Sequence, residues 1–152
     1  MQLTSSAFTD GQTMPKQYTG DGKNISPPLA WTDPPEGTRS FALICNDPDA
    51  PRGDFIHWVI YNLGPETTTL NSGMPRNQVF EDGSGQGTNS FGRIGYDGPL
   101  PPPGKPHRYF FNLYALDIVL SADDPPGDAA AAMKAMEGHV LATATLMGLY
   151  GR

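Results

Sequence analysis

Cysteine, basic residues and long apolar runs are all scarce in this sequence, and each scarcity excludes a class of protein. A single cysteine, Cys45, leaves no internal disulfide, and its place in an apolar run predicts a buried structural thiol. Only 10 Lys and Arg stand against 16 Asp and Glu, for a net charge of −6. Without a basic cluster, neither nucleic-acid binding nor docking on an anionic membrane is expected.

The apolar runs are also too short for a membrane span, which needs roughly 18 consecutive apolar residues. The first residues, MQLTSSAFTDGQ, lack the basic and apolar segments of a signal peptide. Neither membrane insertion nor secretion is therefore expected, and the predicted location is the cytoplasm.

Glycine and proline, by contrast, are abundant, with 18 and 16 copies among 152 residues. They are spread between apolar runs without a repeat, which is typical of the turns of a β-protein. The length suits one domain over residues 1–152, with a core that needs no metal or disulfide to hold it. The predicted fold is mostly β with one or two short helices.

Hydrophobic patterning places the elements along the chain. Asp128 is a good N-cap for a helix over the alanine-rich segment 129–137, and Gly138 can end that helix. The predicted strands are short ones around Phe8 and Leu29–Trp31, a strand over Ser40–Asn46 buried on both faces, and strands over Phe55–Leu63, Arg108–Leu120 and Val140–Tyr150.

The segment 64–106 shows almost no periodicity, and a long loop of this kind is usually functional or disordered. Within it, residues 83–87 are rich in glycine but lack the lysine of a phosphate-binding loop, and no helix follows them. They are predicted to form a mobile linker. Residues 98–104, rich in proline, are predicted to be stiff.

Four ionisable side chains are predicted to lie at strand ends. Asp47 and Asp49 occupy the turn between two strands, and His57 lies near the start of the second, so Asp47 is expected to orient His57. His107 opens a later strand, and Tyr109, two residues on, lies on the same face. Together these side chains predict a small polar pocket.

An anion is the ligand that this combination favours. A carboxylate stabilises a protonated imidazole, and imidazolium and tyrosine hydroxyl groups donate strong hydrogen bonds to phosphate-like oxygens. Amides near Gly95 and Gly98 are expected to add donors, Pro51 and Pro99 to stiffen the mouth, and Trp31 is a candidate for an apolar wall.

Two alternatives stand beside the anion pocket. Taken singly, each residue also fits an ordinary turn or strand position, and only the combination favours a site. A metal site built from His57, His107 and Asp47 is conceivable, but nothing in the spacing requires it. The sequence contains no activated nucleophile, so no catalytic residue, metal or cofactor is predicted, and the protein is expected not to be an enzyme.

Three sequence blocks also resemble the phosphatidylethanolamine-binding protein family, known too as the Raf kinase inhibitor-like family, and in particular its prokaryotic YbhB/YbcL-type subgroup. The first block is GDG…SPPLAW over 20–31 with GTRSF over 37–41, and the second is DPDAP over 47–51 with HW at 57–58. The third is GYDGP over 95–99 with PPG and HRY over 102–109. Together with the C-terminal residues, the blocks extend the resemblance over nearly the whole chain.

The resemblance implies a Greek-key antiparallel β-sandwich with an anion pocket at one end. Carried over by position, it implies that the pocket consists of Asp47, Asp49, Pro51, His57, Gly98, Pro99, His107 and Tyr109. The implied function is non-enzymatic binding of a phosphate-bearing small molecule. The alternative function is inhibition or modulation of a kinase or serine protease through exposed loops. A homodimer is expected by analogy.

Overall fold

The structure, a computed structural model, describes residues 1–152 and consists mainly of short and medium-length strands. A 3-10 turn covers Lys16–Tyr18, and a single α-helix, α1, covers Ala129–Met136. The strands are β1 Gln2–Thr4, β2 Leu29–Thr32, β3 Ser40–Asp47, β4 Phe55–Leu63, β5 Thr69–Leu70, β6 Gly85–Gln86, β7 His107–Leu116 and β8 Val140–Tyr150.

The strands form two antiparallel sheets. One has the order β1-β2-β5 and the other the order β6-β4-β3-β7-β8. In the larger sheet, β3, β4 and β6 are neighbours in chain order, and β7 then returns to lie beside β3. This is the spatial order of a Greek key. The predicted mostly β, Greek-key architecture is confirmed.

The strands β3 and β4 of the large sheet are buried on both faces. One face packs on the small sheet, where Phe41, Leu43 and Cys45 of β3 belong to the main core. The alternate residues Ala42 and Ile44 belong to a second cluster, which α1 covers with Ala132 and Met136. The prediction that β3 is buried on both faces is confirmed, and so is the burial of Cys45.

The helix and the two last strands follow their predictions closely. Asp128 caps α1 by accepting a hydrogen bond from the Ala131 amide at 2.9 Å, and Gly138 has a φ of 80°, which suits glycine after a helix. β8 has its predicted bounds, whereas β7 ends at Leu116 and not at Leu120, because Leu116 pairs with Ser40 and Val140, the first residues of β3 and β8, and no strand continues beyond them. No helix here is both long and apolar enough to cross a membrane.

Two predictions in the irregular segments are wrong. Phe8 lies in no strand; its ring packs in the core, 6.1 Å from the ring of Phe111, and hydrophobic burial rather than strand pairing explains its apolar character. Residues 83–87 are not an exposed linker, because Gly85 and Gln86 form β6 against β4 and both are buried. Buried Gln86 accepts a hydrogen bond from the Trp58 indole nitrogen at 2.7 Å.

Candidate functional site

A cavity of about 150 Å³ opens at one end of the large sheet, where β3 ends and β4 and β7 begin. The antiparallel pairing of β3 with both β4 and β7 brings these three strand ends together. Its polar lining consists of Asp47, His57, His107 and Tyr109, and its apolar lining of Ala50, Pro51, Phe55, Phe91, Leu100, Pro101 and Pro102.

Five of the eight predicted site residues therefore line one cavity, and they are Asp47, Pro51, His57, His107 and Tyr109. The spatial prediction on which they depended, that the turn after β3 meets the start of β7, is correct. The sequence did not reveal the aromatic contribution of Phe55 and Phe91, because Phe91 comes from the irregular segment whose path has no local sequence signal.

His57 is held by the protein backbone. Its Nδ1 lies 2.6 Å from the carbonyl oxygen of Asp97, and its ring makes edge contacts with Tyr109 at 5.2 Å and Phe91 at 5.8 Å between centroids. The ring is 3% exposed, and this burial lowers the pKa of His57 below its usual value, although the Asp97 carbonyl acts to raise it. Burial thus favours the neutral ring.

His107, and not His57, is the partner of Asp47. Oδ2 of Asp47 lies 2.7 Å from Nδ1 of His107, and Oδ1 of Asp47 accepts a hydrogen bond from the Asp49 amide at 2.8 Å. The prediction that Asp47 orients His57 is wrong, because His57 turns toward the Asp97 backbone and His107, across the β3–β7 pairing, takes the carboxylate. Asp47 is itself 3% exposed.

The Tyr109 hydroxyl keeps its proton. The side chain is 1% exposed, and burial, with the neighbouring Asp47 carboxylate as a further cause, raises the pKa of Tyr109 far above its usual value. Its ring lies 6.4 Å from that of His107 and nearly parallel to it, with an angle of 22°. The raised pKa means that Tyr109 lines the cavity with a protonated hydroxyl, which has the Asp47 carboxylate as a neighbouring acceptor.

Asp97 supports the site from behind His57, and the sequence did not indicate this role. Its carboxylate is 1% exposed and accepts hydrogen bonds from four side chains, which are Arg76, Arg93, Asn24 and Asn89. Burial acts to raise its pKa, but the bonds from Arg76, Asn89 and Asn24 hold the pKa below its usual value. We call this group the Asp97 cluster; it fixes the backbone carbonyl that holds His57.

The other three predicted residues do not line the cavity. Asp49 lies outside it and forms a two-pronged pair with Arg108, at 2.9 Å for each contact, which lowers the pKa of Asp49 to about 2. The Gly98 amide donates to Asn24 at 2.6 Å, so it is not free for an anion. The Pro99 carbonyl accepts from the Gly20 amide at 2.9 Å, which anchors the chain before the cavity wall.

Gly98 is nevertheless constrained, because a side chain there would collide with the Tyr18 carbonyl oxygen. Gly95 lies next to Arg76, and neither Gly95 nor Gly98 lines the cavity, so the amide donors expected near these two glycines are not part of it. Trp31 packs on Phe41 in the core at 5.5 Å and lines no wall. No group of three His, Cys, Asp or Glu side chains is arranged to hold a metal ion.

The fold and this cavity define a β-sandwich with a small polar site at one end, and the comparisons identify its family. The family model described as phosphatidylethanolamine-binding protein matches residues 4–151. The chain belongs to the phosphatidylethanolamine-binding protein family, and its relatives place it in the prokaryotic YbhB/YbcL (UPF0098) subgroup.

Several similar proteins match over nearly their whole length. The chain is 51% identical to a UPF0098 protein of Methanothermobacter thermautotrophicus, covering 100% of this chain and 99% of the relative. It is 40% identical to YbhB of Escherichia coli, covering 99% of each. The crystal structure of a putative phosphatidylethanolamine-binding protein homolog from Chlamydia trachomatis matches with a TM-score of 0.88 and 45% identity, over 99% of this chain and 97% of that one.

A second solved structure is that of Escherichia coli YbcL, described as a member of the mammalian family. It matches with a TM-score of 0.87 and 33% identity, over 99% of this chain and 98% of that one. Both structural matches extend over both sheets, and they confirm the resemblance expected from the three sequence blocks.

Proposed function

We propose that this protein is a non-enzymatic binding protein that holds a phosphate-bearing small molecule in the cavity between β3, β4 and β7. The observation that carries the proposal is the state of the two imidazoles. Nδ1 of each ring is engaged by the protein, and Nε2 of each ring has no protein partner. Among buried side-chain polar atoms, only Nε1 of Trp31 lacks a hydrogen-bond partner. The two unpartnered Nε2 atoms are therefore accessible from outside the protein.

The polar floor supplies donors for an oxyanion. Tyr109 keeps its O–H group, and His107, whose Nδ1 contacts the Asp47 carboxylate, leaves Nε2 without a protein partner for a ligand oxygen. The apolar rim, with Phe91 and Leu100 at 40% and 44% exposure, suits a short apolar substituent on the anion. A ligand with an anionic head and an apolar substituent matches both halves of the cavity.

The proposal is tested by following the imidazole signals by NMR while inorganic phosphate is added at constant ionic strength. The signals of His57 and His107 are expected to shift together, and those of His139 are expected to stay. His139 is a control within the molecule, because it pairs with Asp117 at the surface and its side chain is 42% exposed. Unchanged His57 and His107 signals at high phosphate would refute the proposal.

A matched pair of variants sharpens the test. His107→Gln is expected to weaken phosphate binding about tenfold, which is the loss of one charge-assisted hydrogen bond. His139→Gln removes an imidazole of the same kind far from the cavity lining and is expected to leave the affinity unchanged. Equal effects of the two substitutions would argue against the cavity.

The remaining expectations stay predictions. They comprise the absence of enzymatic activity, a cytoplasmic location, a homodimer and, as the alternative function, inhibition of a kinase or serine protease. For that alternative, residues 84–87 are poor candidates as a contact loop because they are buried. An inhibition assay with the protein at rising concentration tests it directly.

A further inference from the structure

One hydrogen bond determines how His57 can meet a ligand. A backbone carbonyl oxygen only accepts, so Nδ1 of His57, 2.6 Å from the Asp97 carbonyl, must carry the hydrogen. The single remaining variable is Nε2. It is a bare acceptor in the neutral ring and a donor in the protonated ring.

The surroundings of His57 keep that ring neutral until a ligand arrives. The titratable groups facing it are Asp47 from β3, Tyr109 from β7 and Asp97 from the loop before β7. Arg76 and Arg93 pair with the Asp97 carboxylate and neutralise its charge. The aromatic rings of Phe55 and Phe91 cover the rest, with the Phe55 ring 5.0 Å from that of His57 between centroids. Burial is the largest influence and disfavours the charged ring.

A fully ionised oxyanion fits such a cavity poorly. Every oxygen of a phosphate monoester dianion is an acceptor, and it would face the bare Nε2 of His57 and the buried Asp47 carboxylate. Two acceptors without a hydrogen between them repel each other and lose their water without compensation. One proton placed between the ligand and His57 removes this conflict.

We propose, on the basis of the function proposed above, that the anion binds together with one proton, which lies between a ligand oxygen and Nε2 of His57. The ligand class is therefore an oxyanion that accepts a hydrogen bond from a protonated Nε2, such as the dianion of a phosphate monoester. The proton balance is simple. The free dianion, the neutral ring and one proton from the solvent form the complex; the proton forms an N–H bond at Nε2, and no bond between heavy atoms changes.

Calorimetry with phenyl phosphate as the probe measures this proton. A phosphate monoester loses its second proton near pH 6, so it is a dianion at about pH 8. Titrations at that pH in buffers of different ionisation enthalpy are expected to show uptake of about one proton per bound ligand, and the affinity is expected to fall about tenfold per pH unit above about pH 7.

The variant His57→Gln separates this proton from other sources. A glutamine amide supplies its own N–H near the position of Nε2, so proton uptake is expected to fall close to zero while phenyl phosphate still binds. His139→Gln is the matched control and is expected to keep the wild-type uptake. In the wild type, the Nε2 nitrogen signal of His57 is expected to change from the bare to the protonated form when ligand binds.

The outcomes distinguish the two proposals. Binding with no proton uptake and no pH dependence would overturn the shared proton and leave the anion-binding function standing. Unchanged proton uptake in a folded His57→Gln variant would also overturn it. If that variant fails to fold, the wild type saturated with phenyl phosphate provides the test. A His57 Nε2 signal that stays in its bare form there would overturn the shared proton. Absence of phenyl phosphate binding at every pH from about 5.5 to about 9 would instead reject the proposed function.

Discussion

His57 and His107 line the same cavity, yet the protein holds them in opposite ways. Nδ1 of His57 bonds to an uncharged backbone carbonyl, and the residue is 3% exposed. Nδ1 of His107 bonds to the Asp47 carboxylate, and its side chain is 12% exposed. Burial disfavours the charged form of the His57 ring, and its Nδ1 hydrogen bond is to an uncharged group. The two rings are thus held differently, according to the partner of Nδ1.

The two rings also differ in what holds them in position. A single side chain, Asp47, orients His107, so one substitution can release that ring. The backbone orients His57, and the backbone there depends on the Asp97 cluster with its two arginines and two asparagines. Damage on the His57 side should therefore affect the stability of the whole fold more than damage on the His107 side.

The largest expected effect is that of Asp97→Asn. This substitution turns one oxygen of the buried carboxylate into an NH2 donor that faces the side-chain donors around it, and leaving such groups unsatisfied is expected to cost about 3 kcal/mol of unfolding free energy. Urea denaturation measures it. The matched control is Asp117→Asn, which removes an exposed partner of His139 and is expected to cost about 0.5 kcal/mol or less. Equal costs would mean that the Asp97 cluster carries no special stability.

The sequence predicted much of the frame and less of the site. A continuous apolar run located β3 and an aromatic and β-branched run located β4, because the side chains of both strands alternate between two packed layers; alternating small and larger side chains located β8. It placed both imidazoles at strand ends that do meet. It missed the Asp97 cluster because Arg76, Arg93 and Asn24 lie far apart in the chain or in irregular segments, and only the tertiary fold brings them to one carboxylate.

The partner of Asp47 shows the same limit. Hairpin geometry alone places His57 near Asp47, and the choice of His107 instead depends on the path of residues 89–98, which carries the Asp97 carbonyl to His57. Residues 83–87 were misjudged for a related reason. Their glycines suggest mobility, but Gly85 is small because the Tyr61 ring lies against it.

The second prediction concerns a substitution that removes the hydrogen-bond partner of His107 and leaves that of His57 in place. Asp47→Ala removes the carboxylate that accepts from His107 and from the Asp49 amide, and it is expected to cost about 2 kcal/mol. The NMR signals of the His107 ring are expected to move strongly, and those of His57 to keep the pattern of a ring with hydrogen on Nδ1. A change of the Nδ1 hydrogen bond of His57 in this variant would contradict the separate support of the two rings.

The third prediction concerns pH and stability. The pKa of His57 is lower in the folded than in the unfolded protein, so the unfolded chain binds this proton more readily. This contribution to stability is complete above the unfolded pKa of about 6.5 and declines as the pH falls below it. The drop in urea midpoint from about pH 7 to about pH 5.5 is expected to be smaller in His57→Gln than in His139→Gln. Equal drops would refute the assignment.

The smallest expected effect is that of breaking the ion pair between Arg108 and Asp49, which lies outside the cavity. Arg108→Ala removes this pair. The Arg108 side chain is 50% exposed and the Asp49 side chain is 30% exposed. Exposed pairs contribute little, so stability is expected to change at the limit of detection and phenyl phosphate affinity to stay within about twofold. A large loss of affinity would extend the site beyond the cavity to the Asp49 side.

The most direct test of these two modes of support is a nitrogen-detected NMR titration of the two rings in the ligand-free protein. It is predicted that His57 at about pH 7 is neutral with its hydrogen on Nδ1, and that it becomes protonated only below the usual histidine pKa of about 6.5. Hydrogen on Nε2 of the neutral ring, or a His57 pKa above that value, would contradict the account.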